Sequence, residues 1–307
     1  MPRNKHVSTT GGLQQTFFGL RHTKAPKSRP LSAYKKARVM NFLRLVFISF
    51  AIVWPTLLTL VYFQWLHNSP AWLQQGAYGV GKLIQFSLPI AFVVWITPGR
   101  VTGLKFWQKK RKPNFETVQE TKKRLLGEES QHDASSASIL LSRRSFVYGV
   151  WFGLMVVVTI FVCYFALLPD SLLTQLKTAV VEKVTAQGIG TAARFLAVAV
   201  FYTFLHSLLE EYYWRWFVYD ELASDFPSVT ANIISSLGFM AHHVVLVGYF
   251  IGWTSVWTYL ISGSVAVGGA FWAWLFERPG GFRSCWLSHA IVDAGIFALG
   301  FVILFSR

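Results

Sequence analysis

The sequence predicts an all-α fold, a polytopic integral membrane bundle of seven transmembrane helices, with eight as the alternative. Three observations carry that expectation. Only 14% of the 307 residues are charged, where a soluble chain has about a quarter. Mean hydropathy is +0.41. The apolar residues fall in runs near the length of about 20 that a bilayer core requires. They cover 43–65, 77–97, 146–168, 194–218, 228–252, 255–276 and 285–305.

The net charge of +15 does not oppose this reading, because it is segregated. Residues 1–44 hold ten Lys/Arg and no acid, residues 98–146 eleven against five acids, and the remainder eight against nine. The three parts therefore carry +10, +6 and −1. A nucleic-acid surface would mix its basic residues into the fold, so no nucleic-acid partner is expected. Basic blocks bordering apolar runs instead mark cytoplasmic segments.

Residues 1–42 read as a basic cytoplasmic tail facing membrane lipid. The tail is too long for a signal-peptide n-region and contains Pro26 and Pro30. The first span follows, interrupted early by Arg44. Residues 43–193 read as N-terminal membrane helices with a basic loop over 98–145. Within that loop, 113–142 suit a linker or a short surface helix. The mixed stretch 171–193 suits an interfacial amphipathic helix or part of an eighth span. Residues 194–307 form the remaining core. Alternation puts the N-terminus, Asp220, Glu221 and Asp225 in the cytoplasm, and a cell (inner) membrane is the expected location. Cys163 and Cys285 lie in apolar surroundings and read as buried hydrophobes. Gly149–Gly153 and Gly248–Gly252 are GxxxG pairs, which arise easily by chance.

Ionisable groups inside apolar runs cost about 2.5–3.5 kcal/mol each on insertion scales and by default carry function. Three clusters qualify. In the first, His206 to Arg215, the adjacent Glu210 and Glu211 point about 100° apart on a helix. Glu210 shares a face with His206, and Glu211 with Arg215, each four residues apart. Glu211 and Arg215 are thus expected to support each other, leaving Glu210 as the working carboxylate. The second cluster is Phe239 to His243. Its two histidines, His242 and His243, face different sides, so one of them is expected to join the site. In the third, His289 and Asp293 share a face, and the acid can orient the ring. One carboxylate base with several imidazoles is the inventory for activating water. A helical rise of ~1.5 Å per residue places His243 deeper than Glu210 or His289. No HExxH, GxSG, GxGD or P-loop motif is present.

The clusters read as EExxxR over Glu210–Arg215, FxxxH over Phe239–His243 and HxxxD over His289–Asp293. In this order on three separate apolar segments, they resemble the CPBP family of intramembrane proteases, also called the Abi family, relatives of the type II CAAX prenyl endopeptidase. The resemblance covers roughly residues 194–307. It implies a membrane endopeptidase of the glutamate or metallo type, with a cavity open to membrane and cytosol. Its substrate would be a peptide or protein, in the CAAX case prenylated. Glu210 and His243 would activate water, while His289 and Asp293 would stabilise the oxyanion. Glu211, Arg215 and Phe239 would support the site, with His206 and His242 nearby. If a metal such as zinc takes part, Glu210, His243 and His289 are its expected ligands. The family usually has Asn where this chain has Asp293. An ionised Asp cannot donate to an oxyanion, so it must be protonated, orient His289 or bind a cation. Two other classes use the same charges differently: a non-catalytic membrane scaffold or immunity protein, and a transporter or ion pathway.

Overall fold

Helices are the only regular elements among the described residues of the computed structural model, which are 31–96 and 131–306. We number them α1 (Leu31–Leu60), α2 (Ala71–Trp95), α3 (Gln131–Val162), α4 (Asp170–Ala186), α5 (Ala192–Leu222), α6 (Ser228–Ile251), α7 (Val256–Phe276) and α8 (Gly281–Phe305). All except α4 are long and apolar enough to cross a membrane, which makes seven. Many of their large apolar side chains are exposed, among them Leu83, Trp151 and Val229. In water such a surface would aggregate, and lipid accommodates it. The chain is accordingly an integral membrane protein. The α-helix suits that setting because it satisfies its backbone polar groups internally.

Residues 171–193 do not supply an eighth span. Most of them form α4, with α5 starting at Ala192. Lys183 on α4 donates to Gln74 Oε1 at 2.9 Å and lies 4.2 Å from the Tyr62 ring. Its pKa is lowered below the ordinary lysine value by burial. Residues 131–142, expected in a linker or surface helix, are the first turns of α3. The rest of the basic loop, 97–130, and tail residues 1–30 lie outside the described residues.

Local sequence sets the helix ends. Pro70, Pro169 and Pro227 precede α2, α4 and α6, where a missing N–H costs nothing and φ is preset. Gly252, at φ +99°, ends α6 in a conformation that disfavours other residues. Gly252 is therefore a helix end, while Gly248 lies against the Trp253 ring, 3.0 Å from where a Cβ would stand. Gly149 and Gly153 do pack. A Cβ at Gly149 would stand 2.7 Å from Ser284 O, and one at Gly153 2.9 Å from Ser288 O. Small residues at this spacing let the α3 and α8 backbones approach closely.

The second half of α5 lies at the centre. Tyr213, Trp214, Phe217 and Val218 are buried against Ala51 of α1, Phe92 of α2, Phe239 of α6 and Trp272 of α7. Two interhelical hydrogen bonds add specificity. Tyr213 donates to Ala51 O at 2.6 Å, and Trp54 Nε1 to Gly81 O at 3.0 Å. Such bonds average about 0.6 kcal/mol in membranes, so close packing matters more. Arg44 pairs with Glu221 at 2.8 Å and Asp225 at 2.9 Å. This ties α1 to the α5–α6 junction and puts these charges at one end of the bundle. Cys285 is buried and donates its S–H to Trp272 O.

Candidate active site

Helix α5 is not a regular α-helix. Its turn Ser207–Glu211 is flanked by π-helical segments, Phe201–His206 and Tyr212–Tyr219. Wider turns of this kind recur at functional sites because they re-aim side chains. Here the intervening turn carries both glutamates, and both are buried.

Glu210 is surrounded by nitrogen. Its Oε1 lies 3.7 Å from Lys82 Nζ, 3.7 Å from His206 Nε2 and 4.0 Å from His242 Nε2. Its Oε2 lies 3.9 Å from His289 Nε2. Four nitrogen groups from α2, α5, α6 and α8 thus surround one carboxylate. All four separations exceed a direct hydrogen bond and suit groups that share a water.

Glu211 faces elsewhere, as its neighbour's angle requires. Its Oε1 accepts from His289 Nδ1 at 2.8 Å and lies 3.1 Å from Arg215 Nη1. The Arg215 guanidinium lies against both the Phe239 and Trp272 rings, 4.7 and 5.0 Å from their centroids. Its Nη2 reaches Gly269 O at 3.5 Å. A cation so deeply buried needs both the anion and the ring faces.

His289 is fixed on three sides. Nδ1 donates to Glu211, the ring stacks on Trp272 at 4.4 Å, and the Phe239 edge stands 6.1 Å away. With Nδ1–H committed, Nε2 is the atom turned toward Glu210. Nε2 also lies 3.6 Å from Asp293 Oδ1. The ring's orientation thus comes chiefly from Glu211, the closer partner, and only secondarily from Asp293.

The two adjacent histidines separate as their helical angle demands. His242 stacks parallel on Trp214 and approaches Glu210. His243 forms no such pair with Glu210, and its ring lies 4.2 Å from that of His242. Its Nδ1 bonds Phe239 O at 2.9 Å, so a proton there leaves Nε2 as an acceptor. Phe239 is the hub of the cluster, with its ring 4.9 Å from His243 and 5.5 Å from His242.

Every residue singled out in the three motifs therefore lies in one connected cluster. Asp293 contacts it through His289. Sequence reasoning overlooked Lys82 and the stacking residues Trp214 and Trp272. Lys82 carried a usable signal, being the only charged residue in the α2 span. The tryptophans carried none, since the chain has 13 of them.

The residues present do not fit a metal centre. Among the described residues, no three His, Cys, Asp or Glu side chains are placed to hold one ion. His243, one of the three expected ligands, does not come within 4 Å of Glu210, whereas its neighbour His242 does. The Lys82 ammonium beside Glu210 adds a positive charge that opposes a dication.

No curated protein and no solved structure matches the chain. Residues 192–295, about a third of it and the stretch that bears all three motifs, match the family model Rce1-like, described as type II CAAX prenyl endopeptidase Rce1-like, the family that the motifs resemble.

Proposed function

We propose that the protein is an intramembrane endopeptidase of the CAAX-processing kind, in which Glu210 activates the hydrolytic water. The observation that carries this reading is the ring of four nitrogen groups 3.7–4.0 Å from the Glu210 carboxylate. An ionised carboxylate so placed accepts a proton from water. The hydroxide formed attacks the scissile carbonyl carbon. Glu210 then returns the proton to the departing amine nitrogen as the C–N bond breaks. His243, through Nε2, is the second holder of the water. His289, oriented by Glu211, presents Nε2 to the tetrahedral intermediate, and Asp293 fixes that nitrogen from its other side. Glu211 and Arg215 support the site.

A lipidated substrate suits the surroundings. A groove of about 480 Å³ runs between α5 and α8, lined by Thr203, Phe204, Ala294, Phe297 and Phe301. Thr203 lies one turn from His206, and Ala294 follows Asp293. An apolar chain seated there would reach the membrane directly. The basic N-terminal tail favours a cytoplasmic N-terminus.

The test is cleavage of a farnesylated Cys-aliphatic-aliphatic-X peptide by the purified, reconstituted protein. Mass spectrometry would detect release of the C-terminal tripeptide. Glu210→Gln should remove cleavage, by about 10²–10⁴-fold or more, while the protein stays folded. Unchanged cleavage in that variant removes the mechanism. Ion flux that depends on Glu210, without cleavage, would mark a transporter instead.

A further inference from the structure

The proteolytic reading leaves Lys82 unused, yet its placement is costly. It is the only charge in the α2 span and lies in the bundle interior, its side chain 15% exposed. Its nearest anion, Glu210 Oε1, is 3.7 Å away, beyond hydrogen-bond length. Among the described residues its ammonium makes no hydrogen bond. It has only the Tyr78 and Phe86 rings, 5.5 and 5.4 Å away. An ammonium kept within the membrane without a bonded partner is expensive. Three N–H groups remain free to donate.

The site also needs a donor. As a carboxylate, Asp293 offers acceptors only, and so does Glu210. A tetrahedral oxyanion forming beside the Asp293 carboxylate requires compensating N–H groups and positive charge. His289 Nε2, already facing both acids, supplies at most one N–H. Lys82 is the one lysine among the groups around Glu210.

We propose that Lys82 is a catalytic residue, the electrophile that binds the carbonyl oxygen of the scissile bond as it becomes an oxyanion. Water attached to Glu210 attacks the carbonyl carbon, and its proton passes to Glu210. The C=O π pair moves onto oxygen, which accepts an N–H from Lys82. On collapse the π bond re-forms, the C–N bond breaks, and the Glu210 proton goes to the amine. Lys82 gives up no proton overall. The role requires the carbonyl oxygen to come within about 3 Å of Nζ as the charge develops.

This inference rests on the proteolytic reading, and the experiment separates the two. Using the farnesylated peptide above, kcat and KM are measured for wild type, Glu210→Gln, Lys82→Met, Lys82→Gln and Lys82→Arg. Binding of a phosphinate analogue, in which a tetrahedral anion replaces the scissile carbonyl, is measured for each, together with thermal unfolding. Lys82→Met should lower kcat by about 10²–10³-fold with KM unchanged, and phosphinate affinity should fall in parallel. Lys82→Gln, which restores an N–H without charge, should recover at least about tenfold of that kcat. Equal losses in Met and Gln, with phosphinate affinity intact, would make Lys82 a mere counter-ion to Glu210 and overturn the proposal. So would full activity in Lys82→Met. If Lys82→Met does not fold, Lys82→Gln against Lys82→Arg decides. A lower kcat with matched phosphinate loss in Gln alone supports the role, and equal kcat refutes it. Cleavage by Glu210→Gln overturns the proteolytic reading, and the Lys82 role falls with it.

Discussion

Nδ1 of His289 donates to Oε1 of Glu211 at 2.8 Å, joining α8 to α5 across 78 residues of sequence. The same oxygen lies 3.1 Å from Arg215 Nη1. One buried carboxylate atom thus sets the tautomer of a site histidine and neutralises a buried arginine. Replacing Glu211 by Gln should do two things. Cleavage should fall by as much as ~10⁴, the loss seen when a serine-protease triad carboxylate becomes an amide and the histidine takes the wrong tautomer. Stability should fall by about 3–5 kcal/mol, because Arg215 stays buried without its anion. Steady-state kinetics and thermal unfolding report the two effects separately. A variant with normal activity and an unchanged unfolding curve would refute both.

His242 and His243 should differ in kind. His243→Ala removes the acceptor Nε2 whose tautomer Phe239 O fixes. Its cleavage rate should drop about 10²–10⁴-fold with little change in unfolding temperature. His242→Ala opens a space beside Trp214 and removes one of the four nitrogens around Glu210, so it should cost stability in addition to about tenfold in rate. Peptide cleavage and unfolding of both variants check this. A larger rate loss in His242→Ala would transfer the water-holding role to His242, the closer of the two to Glu210.

Activity should survive metal removal. The donor groups around Glu210 are not placed for a shared ion, and Lys82 opposes one. Dialysis against EDTA and 1,10-phenanthroline should leave the cleavage rate within about twofold, since nothing in the proposed proton transfers draws on a Lewis acid. Loss of activity that added zinc restores would contradict this.

The close approach of α3 and α8 depends on Gly149. A Cβ there meets Ser284 O at 2.7 Å, and backbone cannot rotate away as a side chain would. Gly149→Ala should therefore cost about 1–3 kcal/mol, and Gly149→Val more. The measurement is thermal unfolding in detergent. Gly76→Ala, where nothing stands within 4 Å of the added carbon, is the control and should change stability little.

Much of this was legible in the sequence because the bilayer simplifies the problem. Without water to satisfy it, lipid-exposed backbone must be helical, so seven apolar runs became seven spans. The i,i+4 arithmetic correctly paired Glu211 with Arg215 and His206 with Glu210, because those contacts lie within one helix. The GxxxG pairs were not decidable from sequence, because small residues at that spacing are common and only the facing backbone tells them apart. Gly149–Gly153 faces α8, whereas Gly252 merely ends α6.

Contacts between helices were decided by the tertiary structure alone. Sequence spacing fixes which face of its own helix a residue occupies and leaves open what that face meets. Lys82 reaches Glu210 only because α2 packs beside α5 in this rotation. His289 turns Nδ1 to Glu211 rather than relying on Asp293 because Trp272 and Phe239 hold its ring at that angle. The sequence by itself determined the class of fold, the three clusters and the family they resemble. The packing of α2, α5, α6 and α8 determined which nitrogen faces which oxygen, since close-packed side chains allow few orientations.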